Sequence, residues 1–185
     1  MQSLSFPLIL LRHGAAEMPE NTCVGQLDVP LTHEGRKAIA TLARQWPRDV
    51  PTRIYCSDLQ RARDSATEIA DALNLPFYQD KRLREIDFGK WEGQHWDCIH
   101  KADPLLMKQW GNDWVNTAPP RGENVLQMFE RVTQFLAQIR REPPQPTLIV
   151  AHAGSLRTLL CALHDRPIDA LFSYDIPHAT PITLG

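Results

Sequence analysis

Two histidines in this chain directly follow short apolar runs, and one of them has an arginine beside it. Arg12 and His13 come after the apolar run 8–11, and His152 comes after the β-rich run 147–151. Open α/β sheets bind their ligands at the carboxyl ends of their strands. We therefore expect the fold to bring these three side chains, from opposite ends of the chain, into one shared site.

A second arginine is predicted to occupy a similar position. Arg61 follows the strand candidate 52–56 and falls in the first turn of the next predicted helix. A guanidinium group is a planar fork that matches phosphate oxygens, and a helix amino terminus adds partial positive charge. Two arginines and two histidines at strand ends would therefore form a pocket for a dianion that requires no metal ion.

A carboxyl group completes this set if the segment around Glu85 folds over the pocket. The negative charge of a bound phosphate disfavours the ionised form of a nearby carboxylic acid. Such an acid can keep a proton for a leaving oxygen near neutral pH. Glu85 also has two arginine neighbours, Arg82 and Arg84, and an ion pair with either of them is the alternative interpretation.

The elements that must position these groups alternate between strands and helices. Apolar and β-branched runs predict strands at 5–11, 52–56, 77–79 and 147–151, with an edge strand at 181–184. Helical periodicity predicts helices at 33–46, 59–73, 123–140 and 155–163. The pattern predicts an α/β fold with a mainly parallel central sheet and helices on both faces.

Four residues are expected to set helix ends. Thr32 is the candidate amino-terminal cap of the first helix, and Pro47 is expected to end that helix. Ser57 and Asp58 are candidate caps for the second helix.

The segment 90–120 shows no clear period and is rich in tryptophan. It is interpreted as a lid or side wall inserted into a single domain that spans 1–185. Trp91 is expected to be a packing residue, because tryptophan is usually buried. Trp96 and Trp110, with Trp114, are candidates to stack on a flat heteroaromatic substrate.

Composition excludes several classes of function. The chain has 185 residues, is 43% hydrophobic and carries a formal net charge of -2, so it offers no bulk positive field for nucleic acid or an acidic membrane. Its four cysteines are widely spaced and predict reduced thiols in a cytoplasmic protein, and no run reaches membrane-spanning length. The sequence leaves the oligomeric state open.

Five short motifs, taken in order, resemble one known family. They are Leu11-Arg12-His13-Gly14, Leu31-Thr32-x-x-Gly35, Ser57-x-Leu59-x-Arg61-Ala62, Leu83-x-Glu85-x-x-Phe88-Gly89-x-Trp91-Glu92-Gly93 and His152-Ala153-Gly154. Together they resemble the histidine phosphatase superfamily, which includes phosphoglycerate mutases. The short length, the Phe-Gly-x-Trp-Glu-Gly version of the fourth motif and the run 23–31 are most similar to the α-ribazole phosphatase branch of cobalamin synthesis.

This resemblance implies a role for each member of the predicted pocket. It implies that His13 is a neutral nucleophile that becomes phosphorylated, and that Arg12, Arg61 and a cationic His152 bind the transferring phosphoryl group. Glu85 would protonate the leaving alkoxide and then activate water. The implied reaction uses no metal and no cofactor, and its substrate would be α-ribazole 5'-phosphate or a related cobamide phosphate.

One part of the family pattern is missing. Many members follow the first motif with Glu-Thr and a nearby Asn that helps to hold phosphate, whereas this chain has Ala15 and Ala16. Asn21 could supply that amide from a different offset, or backbone N–H groups near Gly25 could replace it.

The sequence leaves three other functions open. A broad-specificity phosphatase, a phosphoglycerate mutase and a non-catalytic binding protein are the alternatives. The remaining histidines are expected to have surface or packing roles, with His178 closest to an exception because the strand predicted after it is a candidate border of the site; these residues are His33, His95, His100, His164 and His178.

Overall fold

The computed structural model describes residues 6–46 and 50–184, and its strands form one sheet. The strands are β1 (Leu8–Arg12), β2 (Arg53–Cys56), β3 (Phe77–Gln79), β4 (Thr147–Ala151) and β5 (Pro181–Leu184). Their order is β3-β2-β4-β1-β5, and β5 alone runs antiparallel to its neighbour. The predicted mainly parallel sheet is confirmed. β1 begins later than predicted, and Ser5 lies outside the described residues.

Six α-helices accompany these strands in the described ranges. They are α1 (His33–Arg44), α2 (Gln60–Leu73), α3 (Trp96–Ala102), α4 (Pro104–Asn112), α5 (Val125–Ile139) and α6 (Ala153–Leu163). Short 3-10 helices occupy Lys81–Leu83, Gly89–Trp91 and Ile168–Ser173. None of the helices in the described part of the chain has the length and apolar character needed to cross a membrane.

Helices cover both faces of the sheet because side chains alternate along each buried strand. In β1, Leu8 and Leu10 pack into a cluster with α5 and α6. Ile9 and Leu11 point to the other face and pack with α1 and α2. A strand that is buried on both faces reads as a continuous apolar run, which is how β1 and β4 appear in the sequence.

The predicted helix caps are correct for α1 and wrong for α2. The Thr32 side chain accepts a hydrogen bond from the backbone N–H of Gly35, whereas α2 starts after Leu59 without a side-chain cap. Among the described residues, Ser57 Oγ accepts only from the N–H of Leu59, the residue before the helix, and Asp58 binds Arg84. The N–H of Gln60, the first residue of α2, donates to the distant carboxylate of Asp28. The predicted end of α1 at Pro47 lies outside the described residues, and the helix itself ends at Arg44.

The segment predicted to be irregular contains α3 and α4. The side chain of Asp103 caps α4, and Pro104 occupies its first turn, which is a favoured position for proline. These two helices pack around Trp91 and Ile99 in a small third core. The sequence did not reveal this core, because α3 and α4 are too short to show a clear helical period and the tryptophans are widely spaced in the sequence.

Candidate active site

The carboxyl ends of β1 and β4 bring the two predicted histidines together. Arg12 pairs with Ala151 in the parallel register, and the backbone N–H of His13 donates to the carbonyl of Ala151 at 3.1 Å. His152 directly follows β4, and its ring centroid lies 5.1 Å from that of His13. The shared site expected from the sequence therefore forms at adjacent strand ends.

Hydrogen bonding fixes the tautomer of His13. Its Nδ1 lies 2.7 Å from the carbonyl oxygen of Gly14. A carbonyl only accepts, so Nδ1 carries the proton and Nε2 keeps its lone pair in the neutral ring. Burial, with a smaller effect from the charge on Arg61, lowers the pKa of His13 well below its ordinary value. His13 is therefore a neutral imidazole with a nucleophilic Nε2 atom.

The opposite tautomer is fixed at His152. The Nε of Arg61 donates to the Nδ1 of His152 at 3.2 Å, and a guanidinium never accepts a hydrogen bond. Nδ1 must then carry the lone pair, which leaves the proton on Nε2. Burial lowers the pKa of His152 well below its ordinary value, and His13 and Arg61 add to the effect. The structure thus corrects the expectation of a cationic His152: it is a neutral donor.

Arg61 is almost completely buried, with 1% of its surface exposed. Its two terminal nitrogens donate to the carbonyl oxygens of Gly25 at 2.7 Å and Leu27 at 2.8 Å. These bonds hold the guanidinium against the His152 ring and leave it a cation, since arginine stays protonated even where burial lowers its pKa. The charge of Arg61 is therefore fixed in place before any substrate binds.

Three buried polar atoms in this region have no hydrogen-bond partner among the described residues: Arg12 Nε, His152 Nε2 and His178 Nε2. Leaving a buried polar atom unpaired typically costs about 1–3 kcal/mol. The Arg12 and His152 atoms are donors, and the carboxylate of Glu85 is the nearby charge that most favours the cationic forms of Arg12 and Arg61. The donor set fits an oxyanion such as a phosphoryl group.

Glu85 reaches the same place from a loop. Its Oε2 accepts from the backbone N–H of Gly154 at 3.0 Å, and its Oε1 accepts from the N–H of Ile86 at 3.0 Å. Arg82 and Arg84 pair instead with Asp80 and Asp58. The alternative ion pair of Glu85 with a neighbouring arginine is therefore not formed.

Arg12, His13, Arg61 and Glu85 line a cavity of about 350 Å³ whose walls are mostly apolar, whereas His152 is fully buried beside His13 and Arg61 and does not line it. Phe88, Trp110, Trp114 and Phe172 contribute aromatic surface to it. Trp96 is not a lining residue: it lies behind Trp110 with the two rings stacked at 6.0 Å. The structure thus separates the two tryptophans that the sequence treats alike.

The two candidate substitutes for the missing amide differ in position. Asn21 is exposed and does not line the cavity, and its backbone carbonyl accepts a hydrogen bond from the backbone N–H of Trp96. Gly25 lines the cavity, and its carbonyl binds Arg61. A phosphate contact by either residue stays a prediction.

His178 is the residue that the sequence placed in the default group and that the structure brings to the site. Its ring centroid lies 5.3 Å from that of His13, and burial, with a smaller effect of Arg12, lowers its pKa to about 4. β5 runs antiparallel to β1, with Pro181 opposite Leu11, so the residues before β5 lie at the carboxyl end of β1. An antiparallel assignment for the last strand would have revealed this position.

Within residues 6–46 and 50–184, no group of three or more His, Cys, Asp or Glu side chains is arranged to hold a metal ion. The described polar groups can bind an oxyanion, offer a nucleophilic nitrogen and place a carboxyl group beside them. This is the equipment for phosphoryl transfer to a side chain.

Comparisons with known proteins give a consistent result. The sequence model of the Histidine phosphatase superfamily (branch 1) matches residues 8–184 of this chain. The chain is 32% identical over 174 residues to the adenosylcobalamin/alpha-ribazole phosphatase of Salmonella typhimurium, covering 91% of this chain and 85% of that protein. It is 31% identical over 175 residues to phosphoserine phosphatase 1 of Hydrogenobacter thermophilus, covering 94% and 83%.

Solved structures agree with the sequence comparison. The alpha-ribazole phosphatase from Shigella flexneri superimposes with a TM-score of 0.90 at 26% identity, covering 96% of this chain and 89% of that one.

Proposed function

This chain belongs to branch 1 of the histidine phosphatase superfamily and is a phosphoric monoester hydrolase, and we propose that its substrate is α-ribazole 5'-phosphate or a related cobamide phosphate. Relatives with other substrates are equally similar, so the choice among substrates rests on the cavity and not on identity. The free cysteines among the described residues agree with a reducing compartment, and we place the enzyme in the cytoplasm.

In this proposal His13 is the nucleophile. Its Nε2 lone pair attacks phosphorus in line, a P–N bond forms as the P–O bond to the leaving group breaks, and Glu85 gives the leaving oxygen a proton. Water then attacks the phosphohistidine with Glu85 as the base, which releases inorganic phosphate and restores the imidazole. The covalent intermediate divides one difficult step into two easier ones.

Arg12, Arg61 and His152 stabilise the charge on the transferring phosphoryl group. Two fixed guanidinium cations and one N–H donor act in a buried site, where electrostatic interactions are stronger than in water. Removing one such donor typically lowers the rate by about 10²–10³-fold. The neutral state of His152 leaves its Nε2–H as a donor to a phosphoryl oxygen.

The observation that carries the phosphoryl-transfer mechanism is the pair of opposite tautomers. Gly14 holds the proton on Nδ1 of His13, and Arg61 holds the proton on Nε2 of His152. Together they place a lone pair and a donor side by side, which is what attack on a phosphoryl group requires.

The aromatic cavity supports a substrate with a flat apolar group. A dimethylbenzimidazole ring can lie against Trp110 and the neighbouring aromatic side chains and remove their apolar surface from water. Phosphoserine, by contrast, would leave most of this wall without a contact, because its leaving group is small and charged.

One observation favours a second candidate substrate. Arg157 lines the cavity and uses Nε to bind the carbonyl of Tyr174 at 2.9 Å, while its two terminal nitrogens have no hydrogen bond to any described residue. A carboxylate on the substrate would pair with those nitrogens. The alternative substrate is therefore a phosphorylated hydroxy acid such as phosphoserine.

The test is phosphate release by EDTA-treated protein over a panel of esters. The panel contains α-ribazole 5'-phosphate, phosphoserine, 3-phosphoglycerate, sugar phosphates, nucleotides and p-nitrophenyl phosphate, with His13→Ala and Arg157→Ala as variants. We expect a preference for α-ribazole 5'-phosphate that His13→Ala abolishes and Arg157→Ala leaves in place.

Three other outcomes would change the assignment. A preference for phosphoserine that Arg157→Ala removes would support the second candidate, and similar rates on all esters would indicate a broad-specificity enzyme. Hydrolysis that survives in His13→Ala would overturn the phosphohistidine mechanism.

A further inference from the structure

The segment that carries Glu85 is held by one arginine of α5. The Nη1 of Arg131 donates to the backbone carbonyls of Arg82 at 2.7 Å and Arg84 at 2.8 Å, and its Nη2 donates to the carbonyl of Glu85 at 3.0 Å. One rigid guanidinium thus binds three carbonyls in a span of four residues. The backbone on both sides of the proposed acid is fixed by this single group.

A carboxylate completes the attachment and extends it along the segment. Arg131 forms a two-pronged ion pair with Glu123, with Nε to Oε2 at 3.0 Å and Nη2 to Oε1 at 2.5 Å. The same Oε1 accepts from the backbone N–H of Asp87 at 3.0 Å. Both partners are largely buried, with 18% and 16% of their side-chain surface exposed, so solvent screens this pair only weakly.

The opposite side of the segment is bound by Gln26. Its Nε2 donates to the same Glu85 carbonyl at 3.0 Å, and its Oε1 accepts from Arg84 at 3.2 Å. Gln26 belongs to the loop whose carbonyls at Gly25 and Leu27 bind Arg61. The loop that holds the phosphate-binding arginine therefore also contacts the segment that holds the acid.

The carboxylate of Glu85 depends on this backbone for its position. Its two hydrogen bonds both come from backbone N–H groups, and no cationic side chain pairs with it in the described structure. A shift of about 1 Å in a catalytic group can cost about 10²-fold in rate. Loss of the arginine fork would therefore displace the acid without removing any group from the pocket.

We propose that Arg131 is a positioning residue for catalysis: with Glu123 and Gln26 it sets the place of the Glu85 carboxyl group. The proposal rests on the function assigned to Glu85 above, in which this group protonates the leaving oxygen. It predicts a defect that is confined to substrates whose leaving group needs a proton.

The test compares two esters by kcat/KM, which reports the steps up to departure of the leaving group. 2-Phenylethyl phosphate releases an alkoxide that needs the proton, and p-nitrophenyl phosphate releases a stable phenolate that does not. Arg131→Lys keeps the charge but loses the planar guanidinium, and Gln26→Ala removes the two hydrogen bonds from the other side, to the Glu85 carbonyl and from Arg84. Arg36→Ala is the matched control, because Arg36 pairs with Asp64 and Glu68 between α1 and α2.

We expect Arg131→Lys to lower kcat/KM for 2-phenylethyl phosphate by about 10–10²-fold and to change that for p-nitrophenyl phosphate by less than about 3-fold. Gln26→Ala should show the same selectivity with a smaller loss, and Arg36→Ala should change neither value. The double variant Glu85→Gln/Arg131→Lys should equal Glu85→Gln alone, since a positioning residue has no effect once the acid is gone.

Two failures are distinguishable. Suppose that Glu85→Gln lowers kcat/KM selectively for 2-phenylethyl phosphate, but Arg131→Lys and Gln26→Ala lower kcat/KM equally for both esters and also lower Tm. Arg131 and Gln26 are then merely structural, and the proposal is wrong. If Glu85→Gln itself lowers kcat/KM equally for both esters, Glu85 is not the acid, and the positioning role of Arg131 fails with it.

Discussion

Substitution of Gly154 by alanine should separate activity from stability. Gly154 is the second residue of α6, and its N–H binds Glu85 Oε2. A Cβ atom at this position would lie 2.1 Å from Glu85 Oε1, whereas ordinary contact begins at 3.4 Å. The carboxylate oxygen must therefore move by about 1.3 Å. The Glu85 side chain is flexible enough to do so. The substitution should therefore have little effect on the free energy of unfolding but should lower the catalytic rate.

The expected effects on stability and on catalytic rate have opposite signs. Alanine is favoured over glycine in a helix by up to about 1 kcal/mol, so the free energy of unfolding should stay equal or rise. A displacement of about 1 Å lowers the rate by about 10²-fold, which corresponds to about 2.7 kcal/mol of lost transition-state stabilisation. The loss should appear with 2-phenylethyl phosphate and be much smaller with p-nitrophenyl phosphate.

The measurement is kcat/KM on both esters together with urea denaturation of each variant. Gly111→Ala is the matched control, because Gly111 is also helical and an added Cβ meets nothing within 4 Å. That control should gain stability and keep full activity. Wild-type kcat/KM for 2-phenylethyl phosphate in a folded Gly154→Ala protein would refute the placement of the acid.

Three further predictions follow from other parts of the structure. The lowered pKa of His178, about 4 in the folded state against about 6.5 for an unfolded chain, means that the unfolded state binds more protons between these values. The free energy of unfolding should therefore fall as the pH falls from about 6.5 to 4, by at most about 1.4 kcal/mol per pH unit from this group. Chemical denaturation of His178→Asn over this pH range should show a smaller fall in the free energy of unfolding per pH unit. An unchanged fall would contradict the lowered pKa of His178. Trp110→Ala should raise KM for aromatic esters more than Trp96→Ala, because only the former ring lines the cavity, and equal effects in steady-state assays would exclude direct stacking by Trp110. Phe135→Ala should lower the free energy of unfolding by about 3–5 kcal/mol, since Phe135 is fully buried between sheet and helices, and calorimetry showing a loss below about 1 kcal/mol would count against this packing.

Local patterns in the sequence were sufficient for much of the fold. The runs that became β3, β4 and β5 were predicted with their observed bounds, because strand formation follows from short β-branched or apolar stretches between breakers. The same reasoning placed Arg12, His13 and His152 at strand ends. It failed at α3 and α4, where helices of one to three turns show too few periods to be recognised.

The sequence by itself thus determined which groups were available for phosphoryl transfer, and tertiary structure decided their states. The protonation pattern of His152 depends on Arg61, which is 91 residues away in the chain. The place of Glu85 depends on Gly154 and on Arg131, and His178 reaches the site only because β5 is antiparallel. Hydrogen bonds between distant residues have no periodicity in the sequence, so their partners are fixed only when the sheet brings strand ends together.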